Sequence, residues 1–245
     1  MSVRLSQFLP LLDQKTRLVR WKPILGGAAV GFVVLFQFSG ALATSSISAI
    51  VPMRLAALVL CLGSVFLLDD PAAVTVAPVA TALRYRRGLR LILAVPLIAV
   101  AWVGQLIYVT RSIHEEPPDM LTIWGLTLEL VAMMTMGLAI AALATWWVSE
   151  GLGGVAAGPT LLAILGAASF LPHRWTLFPG SMDDPEWSAA HMRWAVVAVV
   201  AALLVAYSSR DPAARRLGLV RSRSRACFRP SGGSSSGDFA QRAPR

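Results

Sequence analysis

Residues 121–148 read LTIWGLTLELVAMMTMGLAIAALATWWV, and the whole stretch holds one ionisable side chain, Glu129. A soluble fold has no use for so long an apolar run. A bilayer core about 30 Å thick asks for roughly 20 such residues per helix. Inside lipid every backbone N–H and C=O must be satisfied within its own segment, so the run is expected to be a membrane-spanning helix. Working outward, five further runs share its character: 24–44, 53–68, 89–110, 155–171 and 194–207. The second and last of the set are short for a span, and 47–52 and 188–193 are the flanks into which they extend. Composition agrees, with 56% hydrophobic and 14% charged residues against about 25% charged in soluble domains. The expected fold is therefore all-α, a polytopic transmembrane helical bundle of about six spans across 24–208.

Positive charge orients the bundle. Cytoplasmic loops retain Lys and Arg, and of the 22 such residues all but Arg54, Arg111, Arg174 and Arg193 fall on one side. They lie before the first span, between the second and third, and after the last. Both termini are thus expected in the cytoplasm, while the opposite face carries Glu115, Glu116, Asp119, Asp183, Asp184 and Glu186. The net charge of +9 does not imply a nucleic-acid partner. It flanks apolar spans and fills a Ser/Gly-rich tail without interleaved aromatics or a binding module. Anionic membrane lipid is the simpler partner for it.

Four segments outside the spans have character. Residues 1–23 alternate Val3, Phe8, Leu11, Leu12 and Leu18 with basic residues, the pattern of an amphipathic helix lying in the cytoplasmic interface, and Pro23 marks the bend into the first span. The loop 69–88, DDPAAVTVAPVATALRYRRG, carries a helix-start signal in Asp70-Pro71. Asp69, Asp70, Pro71 and Ala72 open this apolar loop, and Arg84, Arg86 and Arg87 close it. So apolar a turn between basic anchors suits either a docking surface for a partner or a helix resting on the membrane. Residues 172–193 mix Trp175, Phe178 and Trp187 with turn residues, as at a membrane edge, and Asp184-Pro185 is a second helix-start signal. The tail 209–245 starts with a third, Asp211-Pro212, and ends Ser/Gly-rich, a composition that does not form a packed core.

Chemistry-bearing motifs are sparse. There is no G-x-x-x-x-G-K-[ST] phosphate loop, no H-E-x-x-H and no G-x-S-x-G. Cys61 and Cys227 fall in a span and in the tail, so neither a disulfide nor a cysteine metal site is expected. His114, His173 and His191 are read as polar loop residues without metal-ligand spacing. No cofactor is implied. Two charges stand out, because ionisable groups inside a membrane are costly and face a bundle interior or a cavity. Glu129 lies about two turns into its span, and Arg54 lies at the start of the second. An ion pair between them is one expectation, and a place on a substrate or proton pathway is the other. Gln105 and Tyr108, with Met133, Met134 and Met136, are the further candidates for such a pathway.

The order of these features resembles the type-2 permease subunits of bacterial ABC transporters, especially compact actinobacterial ones. The matching parts are the elbow before the first span and FLLDDPAAVTVAPVATALRYRRGLRLIL at 66–93. A Gly-rich turn at 149–159, a hairpin before the last span and SSRDPAARR at 208–216 match as well. The resemblance implies a membrane-spanning permease without an ATP-binding motif of its own, in a bacterial plasma membrane. It implies a cytoplasmic ATP-binding subunit docked on Asp69, Asp70, Pro71, Ala72, Arg84, Arg86 and Arg87, a second permease chain, and export of lipid, peptide, antibiotic or polysaccharide. Two other classes remain open on the residues alone: a non-catalytic membrane assembly or sensor protein, and an intramembrane enzyme using Glu115 and Glu116.

Overall fold

The computed structural model describes residues 21–42, 49–69, 83–113, 120–145, 153–181 and 184–208. Among these there is no strand. Helix α1 (Trp21–Gln37) is followed by one helical turn at Ser39–Leu42. Helix α2 (Ile50–Ser64) tightens into a 3₁₀ stretch, Val65–Leu68. Then come α3 (Leu83–Ser112), α4 (Met120–Ala144) and α5 (Gly153–Ser169). A 3₁₀ turn at His173–Trp175 lies in the hairpin that leads to α6 (Trp187–Ser208).

Four of these helices, α2 with its extension, α3, α4 and α6, are long and apolar enough to cross a membrane, which points to a membrane-embedded protein. Helices α1 and α5 are apolar too, at 17 residues each. The elbow at 1–20, the loop 70–82 and the tail from 209 onward lie outside the described residues.

Several boundaries differ from those expected, each for a local reason. Helix α6 starts at Trp187, because Asp184 Oδ1 accepts from the Glu186 amide and Asp184 O from the Trp187 amide, both at 2.9 Å. His191 therefore lies on a helix and not in a loop. Helix α3 starts at Leu83, so the basic stretch at 84–87 belongs to a helix of 30 residues, about 45 Å long. Pro23 sits inside α1 and does not precede it. Most of the expected Gly-rich turn is the start of α5, with Pro159 inside the helix.

Burial ranks the helices. The most apolar windows of α2 and α4 are 61% and 56% buried, against 28% for α3 and 17% for α6. Helices α2 and α4 are thus the centre and pack on each other. Helix α1 packs on α2 and α3, while α5 and α6 pack on α4. Ile92, Val95, Val100 and Ile107 on α3, and Met192, Val196, Val199 and Leu203 on α6, remain exposed, as suits helix faces turned to lipid tails.

Lipid supplies no hydrophobic drive for helix association, so close packing of small residues must do it. The α1–α2 contact follows this rule. Gly27 and Gly31 form a G-x-x-x-G pair on α1. A Cβ on Gly27 would lie 2.8 Å from Val59 O, one on Gly31 would meet Gln105 Nε2 and Ala56 O, and one on Gly63 of α2 would strike Pro23 O. The α4–α5 contact repeats the device, since a Cβ on Gly153 would lie 2.6 Å from Ala141 O.

Candidate functional site: two buried carboxylates at opposite helix ends

Arg54 lies one turn into α2 and Glu129 two turns into α4, so the two central helices bring them together. Glu129 is 1% exposed, and an isolated carboxylate at such a site would be expensive. Arg54 meets it in bidentate fashion: Nε donates to Oε2 at 2.7 Å and Nη2 to Oε1 at 2.6 Å. The remaining arm, Nη1, donates to Pro179 O at 2.8 Å, and the guanidinium carbon stands 5.5 Å from the centre of the Phe178 ring. Every arm of Arg54 is occupied, so the pair offers the surrounding space no bare charge.

The pair is part of a larger network that seats the hairpin between α5 and α6. Arg193 on α6 donates to Thr176 O at 2.9 Å and to Arg174 O at 2.8 Å, pairs with Glu186 at 3.0 Å and stands over the Trp175 ring. Trp194 Nε1 donates to Leu177 O at 2.7 Å, with its ring edge-on to Phe178. Four hairpin carbonyls are thereby bonded by side chains from α2 and α6. His191 approaches Glu129 from α6, with Nε2 at 3.6 Å from Oε1. The ring fits there because residue 125 is glycine, where a Cβ would lie 2.5 Å from Nε2.

Beside Arg54 lies a cleft of about 460 Å³, walled by Val51, Leu55, Met133, Leu162 and Phe178. A separate groove of about 390 Å³ runs between α3 and α4, past Leu91, Ile98, Leu130, Met134 and Leu138. Its two threonines turn their hydroxyls onto their own helix: Thr135 to Val131 O, and Thr127 to Ile123 O while accepting from Trp102 Nε1 at 3.1 Å. The first cleft has Arg54 at its edge; the second is apolar throughout.

At the other end of α2 the second carboxylate turns inward. Asp69 is 2% exposed. Its Oδ1 accepts from the Gly154 amide at 2.6 Å, satisfying a first-turn donor of α5 from a distant part of the chain. Its backbone carbonyl accepts from Arg90 Nη1 of α3 at 3.1 Å. Gly154 permits the approach, since a Cβ there would lie 2.9 Å from both Asp69 Oδ2 and Phe66. One residue thus joins the end of α2 and the start of α5 to α3, about two turns into that helix.

The sequence-derived candidates divide accordingly. Arg54 and Glu129 meet, and Met133 lies beside them. Gln105 does not join them: it is fully buried on α3 against α1, with Nε2 3.5 Å from Ala28 O. Tyr108 packs half-buried on α3, and Met134 lines the second groove. Asp69, expected to face a partner, has an internal carboxylate. Asp70, Pro71 and Ala72 lie outside the described residues, as do the side chains of Arg84, Arg86 and Arg87. His191, Gly125 and Gly154 were missed. The Trp187/His191 spacing of four was a usable signal for a shared helix face, whereas a glycine whose amide is the partner leaves no side-chain trace. Among the described residues no group of three His, Cys, Asp or Glu could hold a metal ion. Compared with known proteins, the chain matches no family model, no curated protein and no solved structure.

Proposed function

We propose that this chain is the membrane-spanning permease subunit of a transporter of the ABC type, an exporter energised by a separate cytoplasmic ATPase. In this reading α1 and α5 cross the membrane with the four longer helices, giving six spans with both termini inside. Spans of 17 residues fall at the short end of the workable range, and the one-sided placement of Lys and Arg supports the orientation. A second permease chain completes the pathway, in a bacterial plasma membrane.

The observation that carries the reading is the joint at Asp69. A loop that receives force from a nucleotide-driven partner needs a stiff connection to the helices it moves. The loop 70–82 follows Asp69, which is bonded to α5 and α3, so displacement of that loop would act on three helices together. The Arg54–Glu129 pair at the far end of α2 and α4 is then a fixed point about which the helices tilt.

Co-purification with candidate ATPases bearing a phosphate loop tests the proposal. A stable complex that hydrolyses ATP faster than the free ATPase is expected, and deletion of residues 71–87 should abolish it. Association that survives the deletion, or an ATPase indifferent to the chain, would overturn the reading.

A further inference from the structure

His191 has one ring nitrogen committed. Nδ1 lies 2.8 Å from Trp187 O, one turn back on α6. A carbonyl only accepts, so Nδ1 carries hydrogen. The other nitrogen, Nε2, is buried, has no hydrogen-bond partner among the described residues, and lies 3.6 Å from Glu129 Oε1. With a single proton on the ring, Nε2 turns a lone pair toward a carboxylate oxygen. With a second proton it becomes a cationic donor at ion-pair distance from that oxygen. The ring has little freedom to avoid the choice. Trp187 covers one side at 4.4 Å between centroids, and Gly125 leaves just enough room on the other.

We propose that His191 is a proton-binding site: uptake of a proton at Nε2 clasps α6 to α4 through Glu129, and loss of that proton releases the clasp. The charges facing the ring are Glu129 from α4 and Arg54 from α2. Arg54 opposes a second cation here, but its guanidinium is matched by Glu129 in bidentate contact, and Nε2 faces the carboxylate end of that pair. On α6 itself Arg193 is held by Glu186 and by hairpin carbonyls. From the hairpin, Asp184 is 3.5 Å from the exposed His173, a pair separate from this one. The inference stands whether or not the chain belongs to a transporter.

The test is thermal unfolding of the full chain in lipid nanodiscs, comparing the parent with His191→Asn at about pH 5.5 and about pH 8. The parent should outlast the variant by several degrees at the lower pH and by little at the higher. Equal margins at both would overturn the proposal. Responses of other groups cancel in the difference, and His173→Asn should leave the margin unchanged. Should His191→Asn fail to fold, ¹⁵N-histidine NMR of the parent decides instead. One Nε2 resonance, identified by its displacement in Gly125→Ala, should pass from unprotonated to protonated positions across the same window. A resonance that stays put there overturns the clasp.

Discussion

Glu129 and Asp69 are both buried acidic side chains on the central part of the bundle, and they are held in different ways. Glu129 meets another side chain, the Arg54 guanidinium, in a two-bond contact. Asp69 meets the backbone, the Gly154 amide at the start of α5, where the positive end of a helix favours a carboxylate. The difference sets what each can tolerate. A charge matched by a charge is neutral as a pair and costly once halved. A carboxylate that caps a helix can lose its charge and keep its bond, since the bond needs only an acceptor oxygen.

The largest effect should come from halving the first arrangement. Either Arg54→Met or Glu129→Leu alone should cost about 3–5 kcal/mol, by leaving a buried charge unmatched. The double variant should lose less than either single one, as read by denaturant unfolding in mixed micelles. A double variant at the sum of its parents would show that the charges act independently, and the contrast would collapse.

Next come the glycines that let each carboxylate reach its partner. Gly154→Ala sets a methyl against Asp69 and the Phe66 backbone and should cost about 1–3 kcal/mol. The control Gly166→Ala, on the same helix with nothing within 4 Å of its Cβ, should cost nothing measurable in the same assay. Equal losses would mean that the approach of Asp69 is not what is being read, since replacing glycine by alanine within a helix gains propensity.

Smaller still is the cap. Asp69→Ala should lower stability by about 1 kcal/mol, and Asp69→Asn by a fraction of that, because the amide oxygen still accepts. Hydrogen exchange at the first turn of α5 is the sensitive readout. If Asn proves as damaging as Ala, the charge matters and the two carboxylates are alike after all. A comparably small effect, about 0.6 kcal/mol by unfolding, is expected for Thr127→Val. That change removes the acceptor of the Trp102 indole bond without opening a cavity.

How much of this was readable in advance follows from the same contrast. Glu129 and Arg54 were visible because an ionisable residue in an apolar run is rare and needs company. Asp69 was visible as an acid but was assigned outward, toward a partner. One mate of its carboxylate is a backbone amide far along the chain, and the adjacent Asp70-Pro71 pair drew the capping assignment to itself. His191 fell in 188–193, the flank into which the last span is expected to extend, yet was read as a loop residue; the helix starting at Trp187 carries it into the bundle. Gln105 was recognised as a polar residue within a span but placed beside the wrong neighbours. The G-x-x-x-G spacing at Gly27 and Gly31 was the available clue that α1 comes close enough to cover it.

The hairpin bonds also order the events of synthesis. The partners of the carbonyls at 174, 176 and 177 are Arg193 and Trp194, which leave the ribosome after the hairpin itself. Helices α1 and α2, packed through adjacent glycines, and then α4 with its ion pair to α2, can associate as they emerge. Among the described residues, Arg54 is the one side chain outside α6 that bonds a hairpin carbonyl. A nascent chain stalled before residue 193 would therefore carry a finished centre and an unfinished rim, so docking of α6 is the step that seats the hairpin.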